Sequence, residues 1–425
     1  LFRSFTVIFA LSIATTIFNK RILGFPQAIG VPIVSAIFVF ILQWGASLLS
    51  GNQFITINIH NIEEAVRHID FYDFLINGVI CFILTSSALK FKVSDLKSHW
   101  KPISILASIA LVLCAVFFGM TLYGYQFLIG KHVDILVLLL LGAALGATDP
   151  IGVKGVLSSV RAPHHLIVKL EGESLFNDAM CIAVFMTLLN VLQGEHFTIL
   201  GTLETLLYEI VVAVIIGWAF GLGILRLLRG KHEMESLILT TALLACGSYL
   251  VALFAHASAP IACVIGGLVV GNKWKEILQE REIREVNHFW HTVEGIINSF
   301  LFTLIGLELF ILDLSISLIL GGIVAFIILH ASRFAANYLS FAFFPSFRNK
   351  SYNGSLAILS WGGVRGGISL ALILAVANIP QLSEYSSILI GYTFIAVLLS
   401  GLVWGLGVPA VMNAFYYTPN EETTG

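Results

Sequence analysis

The chain is poor in charged residues. Only 11% of its 425 residues are Asp, Glu, Lys or Arg, whereas soluble proteins carry about 25%. The formal net charge is −2, and the basic residues are spread over short loops rather than gathered in one patch. This composition excludes a water-soluble domain, and it excludes nucleic acid as a partner.

Cysteine is also scarce. The five cysteines have no CxxC spacing and all fall in apolar segments, so neither a disulfide framework nor a zinc site is predicted. The lack of a His or Cys cluster at ligand spacing argues against a soft metal, and no cofactor is expected. We interpret the cysteines as packing residues: Cys81, Cys114, Cys181, Cys246 and Cys263.

Long hydrophobic runs, in contrast, are abundant. Hydrophobic residues make up 58% of the chain, and the mean hydropathy is +0.93. A helix needs roughly 20 residues to cross about 30 Å of hydrocarbon. The runs therefore predict an all-α polytopic membrane protein with about thirteen transmembrane helices. The candidate spans lie near residues 4–19, 27–49, 72–90, 103–129, 134–158, 165–192, 205–228, 236–256, 258–273, 291–312, 315–343, 353–378 and 386–414.

The loop charges predict an orientation. Loops that hold Lys and Arg alternate with loops that hold mainly acids, and cytoplasmic loops are enriched in Lys and Arg. This pattern predicts an outside N-terminus and a cytoplasmic C-terminus, in the cell (inner) membrane. Two longer loops, 51–71 and 274–290, are each expected to form either an interfacial amphipathic helix or a solvated linker.

Two spans are interrupted by glycine and proline. One holds Gly142, Gly146 and Thr148-Asp149-Pro150, and the other holds the segment 361–367. Both are expected to break near their middles. Setting spans one to six against spans eight to thirteen pairs the fifth span with the twelfth, so the two interruptions correspond. Discontinuous helices at corresponding positions of two halves indicate the substrate site of an inverted-repeat transporter.

The sixth span carries an acidic stretch, Glu171 to Asp178. A charged residue at the centre of a bilayer helix costs roughly 2.5 to 3.5 kcal/mol, and such residues mark ion or proton pathways. At helical spacing, Glu173 stacks over Asn177 and Ser174 stacks over Asp178. The sixth span therefore presents two adjacent polar ridges.

The fifth span supplies further oxygen ligands. Pro150 removes an amide donor and disturbs the preceding turn, which frees carbonyls such as that of Thr148. Carboxylates and unwound carbonyls suit a hard cation. Each acid binds either a proton or the ion, so a site built from Asp149 and Asp178 favours exchange of one for the other.

Arg365, between two glycine pairs, is the predicted counter-charge for Glu173, because a buried charge without a partner is strongly destabilising. Structural roles remain as alternatives. Asp149 and Asp178 could form helix-to-helix hydrogen bonds, and Glu173 could serve only in a salt bridge rather than as a ligand.

Ser174 and Thr148 could likewise be ordinary packing hydroxyls between membrane helices. Arg333 and Asn337 share a helix face at i and i+4 and are expected to pair with carbonyls or acids across the bundle.

Three motifs resemble a known family, the monovalent cation:proton antiporters of the electroneutral sodium/proton exchanger branch, in particular its bacterial and archaeal members. The resemblance covers essentially the whole chain, and the order and spacing of the motifs fit the family. The motifs are Ala147-Thr148-Asp149-Pro150, Glu173-Ser174-Leu175-Phe176-Asn177-Asp178 and Gly362-Gly363-Val364-Arg365-Gly366-Gly367-Ile368-Ser369-Leu370.

The resemblance implies an inverted-repeat bundle with two crossing discontinuous helices, a mobile core domain and a dimerisation domain, and hence a homodimer. The core would span roughly 103–192 and 315–414. The dimerisation domain, or scaffold, would span roughly 1–90 and 205–312.

The resemblance also implies roles for the site residues. Asp178 would be the essential cation and proton carboxylate. The site would be completed by Asp149, Glu173, Ser174 and the Thr148 carbonyl. Asn177 and Arg365 would hold Glu173.

Asn177 bears on stoichiometry within the resemblance. Family members with Asp at this position are usually electrogenic, and members with Asn exchange one ion for one proton, so electroneutral exchange is expected. Many members also carry a large cytoplasmic regulatory domain after the last span. Such a domain beyond residue 425 is a possible partner of the membrane domain.

The predicted function is antiport of Na⁺ (or Li⁺) against H⁺ across the lipid bilayer, with no enzymatic reaction. The first alternative is a K⁺/H⁺ antiporter that uses the same site. A cation channel is a weaker alternative, because a channel presents a ring or filter along a pore. An intramembrane hydrolase based on Ser174 lacks a convincing base and orienting partner.

Overall fold

The computed structural model of the chain describes residues 2–25, 27–48, 78–149, 157, 162–194, 198–230, 233–307, 315–342, 350–377 and 379–415. Within these ranges the regular elements are helices, and no strand occurs among the described residues. The predicted interfacial segment 51–71, Pro150 and Gly152 lie outside the described residues.

The α-helices among the described residues are numbered here in chain order. They are α1 Phe2–Phe18, α2 Gln27–Leu48, α3 Ile80–Lys90, α4 Val93–Ile105, α5 Leu111–Leu128, α6 Ile135–Ala144, α7 His164–Leu192, α8 Ile199–Leu227, α9 Met234–Phe254, α10 Ala259–Lys273, α11 Glu280–Leu307, α12 Ile316–Ala342, α13 Lys350–Trp361, α14 Gly367–Ala377 and α15 Ser386–Phe415.

The prediction of an all-α polytopic membrane protein is confirmed. Each of the thirteen predicted spans contains at least one described helix. Among the described residues, six helical stretches are long and apolar enough to cross a bilayer by length and composition. They are Val93–Leu128, His164–Leu192, Glu204–Leu227, Met234–Phe254, Ile316–Ala342 and Ser383–Trp404.

Helix α4 begins earlier than the hydropathy predicted. The helix starts at Val93 rather than near residue 103, and a π turn, Leu106–Ala110, joins it to α5. His99 has non-helical backbone angles, φ −124° and ψ 17°. Pro102 follows three residues later, and proline disturbs the turn before it. The kink therefore separates a charged first turn from the apolar part of the span.

Helix α11 corrects the prediction of a separate interfacial element at 274–290. A short 3₁₀ turn, Trp274–Glu276, is followed by one continuous helix from Glu280 to Leu307. Glu282 Oε2 accepts a hydrogen bond from the backbone nitrogen of Gln279 at 2.7 Å, which satisfies one free amide at the helix start. No proline follows within the helix, so nothing ends it before the predicted span begins.

The two interrupted spans meet in space. Helix α6 ends at Ala144, and residues 147–149 are non-helical. Helix α13 ends at Trp361, residues 362–366 are non-helical, and α14 starts at Gly367. The backbone nitrogen of Asp149 donates to the Val364 carbonyl at 2.8 Å. The two interruptions, called the first break (145–149) and the second break (362–366) below, are thus joined by their backbones.

Helix α7 lies beside the first break. It packs against α4 and α6, and α6 in turn packs closely on α5. A Cβ added at Gly142 of α6 would lie 2.8 Å from the Ala115 carbonyl oxygen of α5, so this approach requires glycine. Because α6 is held tightly against α5, the position at which the first break meets α7 is fixed.

Candidate functional site

A small cavity lies where the two breaks, α7, α3 and α11 meet. Its volume is about 30 Å³. Thr148 and Asp149 from the first break and Asp178 from α7 all line it, so three of the predicted site residues are brought together. The lining residues are Ile83, Ala147, Thr148, Asp149, Asp178, Asn298, Leu301, Phe302, Gly366, Gly367 and Ile368.

The cavity acids are deeply buried. Asp178 is 3% exposed and Asp149 is 8% exposed. Most of the other residues that line the cavity are apolar. A buried carboxylate is tolerated only when it is protonated, paired or bound to a cation. Two such groups on one small cavity are therefore suited to hold a proton or a cation.

Helix α7 fixes the first break through the side chains of Ser174 and Asn177. Ser174 Oγ donates to the Thr148 carbonyl. Asn177 Nδ2 donates to the Gly146 carbonyl at 3.0 Å and lies 3.4 Å from Thr148 Oγ1. Non-helical backbone leaves carbonyls without their usual partners, and these two side chains supply the missing donors. Asn177 thus holds the break rather than Glu173, which corrects the role implied by the resemblance.

Arg365 also holds the first break. Its Nη1 donates to the Gly146 carbonyl at 2.7 Å and to the Ala147 carbonyl at 3.2 Å. Its backbone nitrogen donates to Ser400 Oγ of α15 at 3.0 Å. The side chain is only 2% exposed, so a full positive charge sits at the junction of the two breaks.

Glu173 has a different cationic partner from the one predicted. Arg333 Nη2 of α12 donates to Glu173 Oε1 at 2.7 Å, and both side chains are buried. The prediction of a Glu173–Arg365 ion pair is therefore wrong in its partner. The physical reason is position: Arg365 lies inside the break, where bare carbonyls compete for its guanidinium, whereas Arg333 reaches Glu173 from a neighbouring helix.

Arg333 also binds the C-terminal end of α13. Its Nη2 also donates to the Leu359 carbonyl at 3.0 Å, and its Nε donates to the Ser360 carbonyl at 3.1 Å. The last carbonyls of a helix have no partner within the helix and carry partial negative charge. Arg333 satisfies these carbonyls and pairs Glu173 at once, as expected for a buried cation that contacts carbonyls and acids across the bundle.

The sequence motifs predict no role for Arg333 in the site, although one signal is present. Arg333 and Asn337 lie one turn apart on a membrane helix, where polar residues are costly. Asn337 Nδ2 donates to Ser360 Oγ at 3.0 Å, so both residues of this face bind the end of α13. Which acid Arg333 would meet depended on how α12 packs, and no spacing along the chain reveals that.

Glu173 and Ser174 do not themselves line the cavity. Glu173 is 1% exposed and Ser174 is fully buried, and neither is among the lining residues. Ser174 acts on the cavity through the Thr148 carbonyl. Glu173 and Ser174, which the sequence predicts as ligands, therefore support the site from outside the cavity lining.

The cavity resembles no transition-metal site. Among the described residues, no group of three or more His, Cys, Asp or Glu side chains could hold a metal ion together. The polar groups of the cavity are carboxylates, an amide and a hydroxyl, which suit hard monovalent cations.

Comparison with known proteins agrees with this chemistry. The model of the family "Sodium/hydrogen exchanger, transmembrane" matches residues 6–413. The Na⁺/H⁺ antiporter NhaP of Pseudomonas aeruginosa is 34% identical over 98% of this chain and 97% of its own length. The Na⁺/H⁺ antiporter NhaH of Halobacillus dabanensis is 28% identical over 81% of this chain and 85% of its own length.

The fold is also similar to a solved structure. The sodium proton antiporter MjNhaP1 from Methanocaldococcus jannaschii superposes with a TM-score of 0.76 at 18% identity, over 98% of this chain and 99% of that chain. At this level of identity the similarity concerns the fold. The family match over almost the whole length, together with the NhaP identity, shows that the chain belongs to the sodium/hydrogen exchanger family.

Proposed function

We propose that this chain exchanges Na⁺ (or Li⁺) for H⁺ across the membrane, one ion for one proton, at Asp149 and Asp178. The observation that carries this proposal is the cavity of about 30 Å³ that both carboxylates line at the meeting point of two broken helices. Membership of the sodium/hydrogen exchanger family supports the same conclusion.

The charges around the cavity support a stoichiometry of one to one. Glu173 and Arg333 neutralise each other as an ion pair. Arg365 adds one more buried positive charge beside the first break, so the ionised Asp149 and Asp178 together with Arg365 sum to a net charge of −1. One proton or one monovalent cation neutralises that charge, and binding of both together would leave a net positive charge in the site. The proton and the cation therefore displace each other.

The supporting residues keep the ligands in place. Ser174 and Asn177 hold the Thr148 carbonyl and the Gly146 carbonyl, and Arg365 holds Gly146 and Ala147. These bonds fix the first break, and with it Asp149, before an ion arrives. Pre-ordered ligands bind more tightly because less ordering is needed on binding.

Transport requires that the same site open to each side in turn. The proposed core, 103–192 and 315–414, contains both breaks and α7, and the proposed scaffold, 1–90 and 205–312, contains α3 and α11. The cavity lies between these two groups of helices, so movement of the core along the scaffold would expose it alternately. Such movement is the usual route in inverted-repeat transporters.

The proposal includes an assembly and an orientation. A homodimer formed through the scaffold would anchor that domain while the core moves. The N-terminus would lie outside and the C-terminus in the cytoplasm of the cell (inner) membrane, because the loops after α1, around α4 and before α11 belong to the alternating set of loops that is rich in Lys and Arg.

Potassium is the second candidate ion, because a pair of carboxylates discriminates weakly between alkali cations. Comparison of the three ions in one assay separates the two candidates.

The test is proton flux in proteoliposomes under an imposed pH gradient with the membrane voltage clamped. Na⁺ and Li⁺ should drive proton movement that does not change with voltage, and Asp178→Asn should abolish it while the purified protein stays folded. Flux that depends on voltage would contradict the stoichiometry. Sodium-driven flux that persists in Asp178→Asn would remove this carboxylate from the site.

A further inference from the structure

The cavity has two unlike walls. The first wall comes from α7 and the two breaks and carries Asp149 and Asp178. The second wall comes from α3 and α11. Its lining residues are Ile83, Asn298, Leu301 and Phe302. Among these described residues, Asn298 alone has a polar side chain.

Asn298 is buried with part of its amide unsatisfied. The residue is 6% exposed, and its Nδ2 has no hydrogen-bond partner among the described residues. Buried polar atoms are nearly always satisfied, because an unpaired one loses its bonds to water without compensation. The unsatisfied Nδ2 is a donor, so in this orientation it fits an ionised carboxylate of the cavity, and with the amide turned over Oδ1 would face a cation instead.

The neighbouring turn of α11 keeps this amide in position. Glu294, one turn before Asn298 on the same helix face, accepts hydrogen bonds from α3. Lys90 Nζ lies 2.6 Å and Ser86 Oγ lies 2.8 Å from Glu294 Oε2. This face of α11 is thus fixed against α3, and Asn298 belongs to a rigid surface.

The size of the cavity sets a demand for oxygen ligands. A volume of about 30 Å³ holds one dehydrated alkali cation with at most one or two water molecules. An ion that enters this space therefore exchanges part of its water shell for protein oxygens. The first wall supplies them from one side only, and hydrocarbon side chains make up most of the second wall.

A carboxamide meets this demand at the second wall. Its oxygen is a hard ligand for alkali cations, and its two N–H groups donate to an ionised carboxylate when no cation is present. The same side chain therefore serves both the ion-bound and the ion-free cavity by a turn about its terminal bond. A leucine or phenylalanine at this position could do neither.

We propose that Asn298 is a specificity-determining ligand of the second wall, whose Oδ1 binds the transported alkali cation opposite Asp149 and Asp178. This inference rests on the proposed exchange function and adds a residue from the opposite side of the cavity. Because α11 is fixed against α3, the Asn298 amide keeps its place in the second wall. Asn298 therefore favours the cation whose size lets it contact this oxygen and the carboxylates of the first wall together.

The test compares Asn298→Leu with Ser299→Ala in the full chain, in proteoliposomes. Ser299 is the next residue of α11 and does not line the cavity. Asn298→Leu should raise the KM for Na⁺ by about tenfold, the loss expected for one bond to a charged group. The maximal rate of this variant should fall much less. The KM values for Na⁺, Li⁺ and K⁺ should become more similar to one another than they are in the wild type. Ser299→Ala should match the wild type in the KM for Na⁺, in the maximal rate and in the ion preference.

Asn298→Asp decides the matter if the leucine variant does not fold. This variant keeps the size and adds a charge, so it should lower the KM for Na⁺ at high pH. An unchanged KM and unchanged ion preference in either folded variant would overturn the proposal. If the wild-type chain itself shows no sodium-driven proton flux, the proposed function fails. If the wild type exchanges normally and the Asn298 variants do too, only this inference fails.

Discussion

At the residue scale, two buried arginines divide the support of the site between them. Arg333 neutralises Glu173 and binds the end of α13, and Arg365 binds the carbonyls of the first break. Loss of Arg333 would leave Glu173 without a cationic partner inside the protein. A buried ion that loses its partner destabilises the fold by roughly 3 to 5 kcal/mol.

This division predicts the result of two double-mutant cycles on the free energy of unfolding in detergent. Glu173→Gln combined with Arg333→Gln should show a coupling energy of about 1 to 3 kcal/mol, as expected for side chains in direct contact. Glu173→Gln combined with Arg365→Gln should show a smaller one. The reverse order of the two coupling energies would restore the Glu173–Arg365 pair predicted from the sequence.

Gly366 carries a second prediction at this scale. A Cβ at this position would lie 2.9 Å from Asp149 Cβ, so Gly366→Ala should displace the carboxylate from its ligand position. Misplacement of a reacting group by about 1 Å can cost roughly a hundredfold in rate, so sodium-driven proton flux should fall by at least about tenfold. The protein should remain folded.

The control for this change is Gly124→Ala in α5. A Cβ there would meet no atom within 4 Å, so both flux and thermal stability should stay at the wild-type level. If Gly366→Ala also transports normally, the close approach of the second break to Asp149 does not matter for function.

Which acids line the cavity was readable from the sequence, but the partners of the residues around it were not. The cost of polar groups in a membrane singled out Asp149 and Asp178. The partner of Glu173 depended on where α12 packs. Asn298 gave no signal, because one amide in a long amphipathic helix resembles any other.

At the element scale, α3 and α10 pack closely through two glycines one turn apart. A Cβ at Gly267 would lie 2.6 Å from Ala88 Cβ, and a Cβ at Gly271 would contact the backbone of Leu89. Small residues at i and i+4 allow membrane helices to approach in this way. Lys90 and Ser86 of α3 bind Glu294 of α11. The contact between α3 and α10 therefore also helps to position the second cavity wall.

Gly271→Ala should therefore lower the unfolding free energy in detergent by about 1 to 3 kcal/mol, the usual cost of overpacking a tight contact. Gly223→Ala in α8 is the matched control, because a Cβ there would meet nothing within 4 Å. Equal stability of the two variants would contradict the tight α3–α10 contact.

Hydropathy predicted the existence of the elements better than their ends. Each apolar run contains a helix because burying backbone polar groups in lipid requires helical hydrogen bonds. Helices α4 and α11 extend well beyond their apolar runs, since their first turns are charged and hydropathy does not register a polar helix. The second break was predictable because four glycines flank Arg365.

At the scale of the whole molecule, the proposed exchange depends on a charge balance. In the proposed mechanism, a site with two carboxylates and the guanidinium of Arg365, which has no carboxylate partner of its own among the described residues, would accept one positive charge at a time, whether a proton or an alkali ion. The resemblance of three motifs to the exchanger family predicted this class of function, and the family match over residues 6–413 agrees. The dimer and the orientation in the membrane stay predictions, because both concern surfaces outside a single chain.

The most direct test of this balance is the apparent KM for Na⁺ measured as a function of pH in proteoliposomes, with the membrane voltage clamped. If one proton and one ion compete for the site, the KM should rise by about tenfold for each unit of falling pH on the acid side, since displacement of one proton is worth about 1.4 kcal/mol per pH unit. The maximal rate should stay constant over the same range. A KM that does not change with pH, while the maximal rate falls, would contradict competition at Asp149 and Asp178.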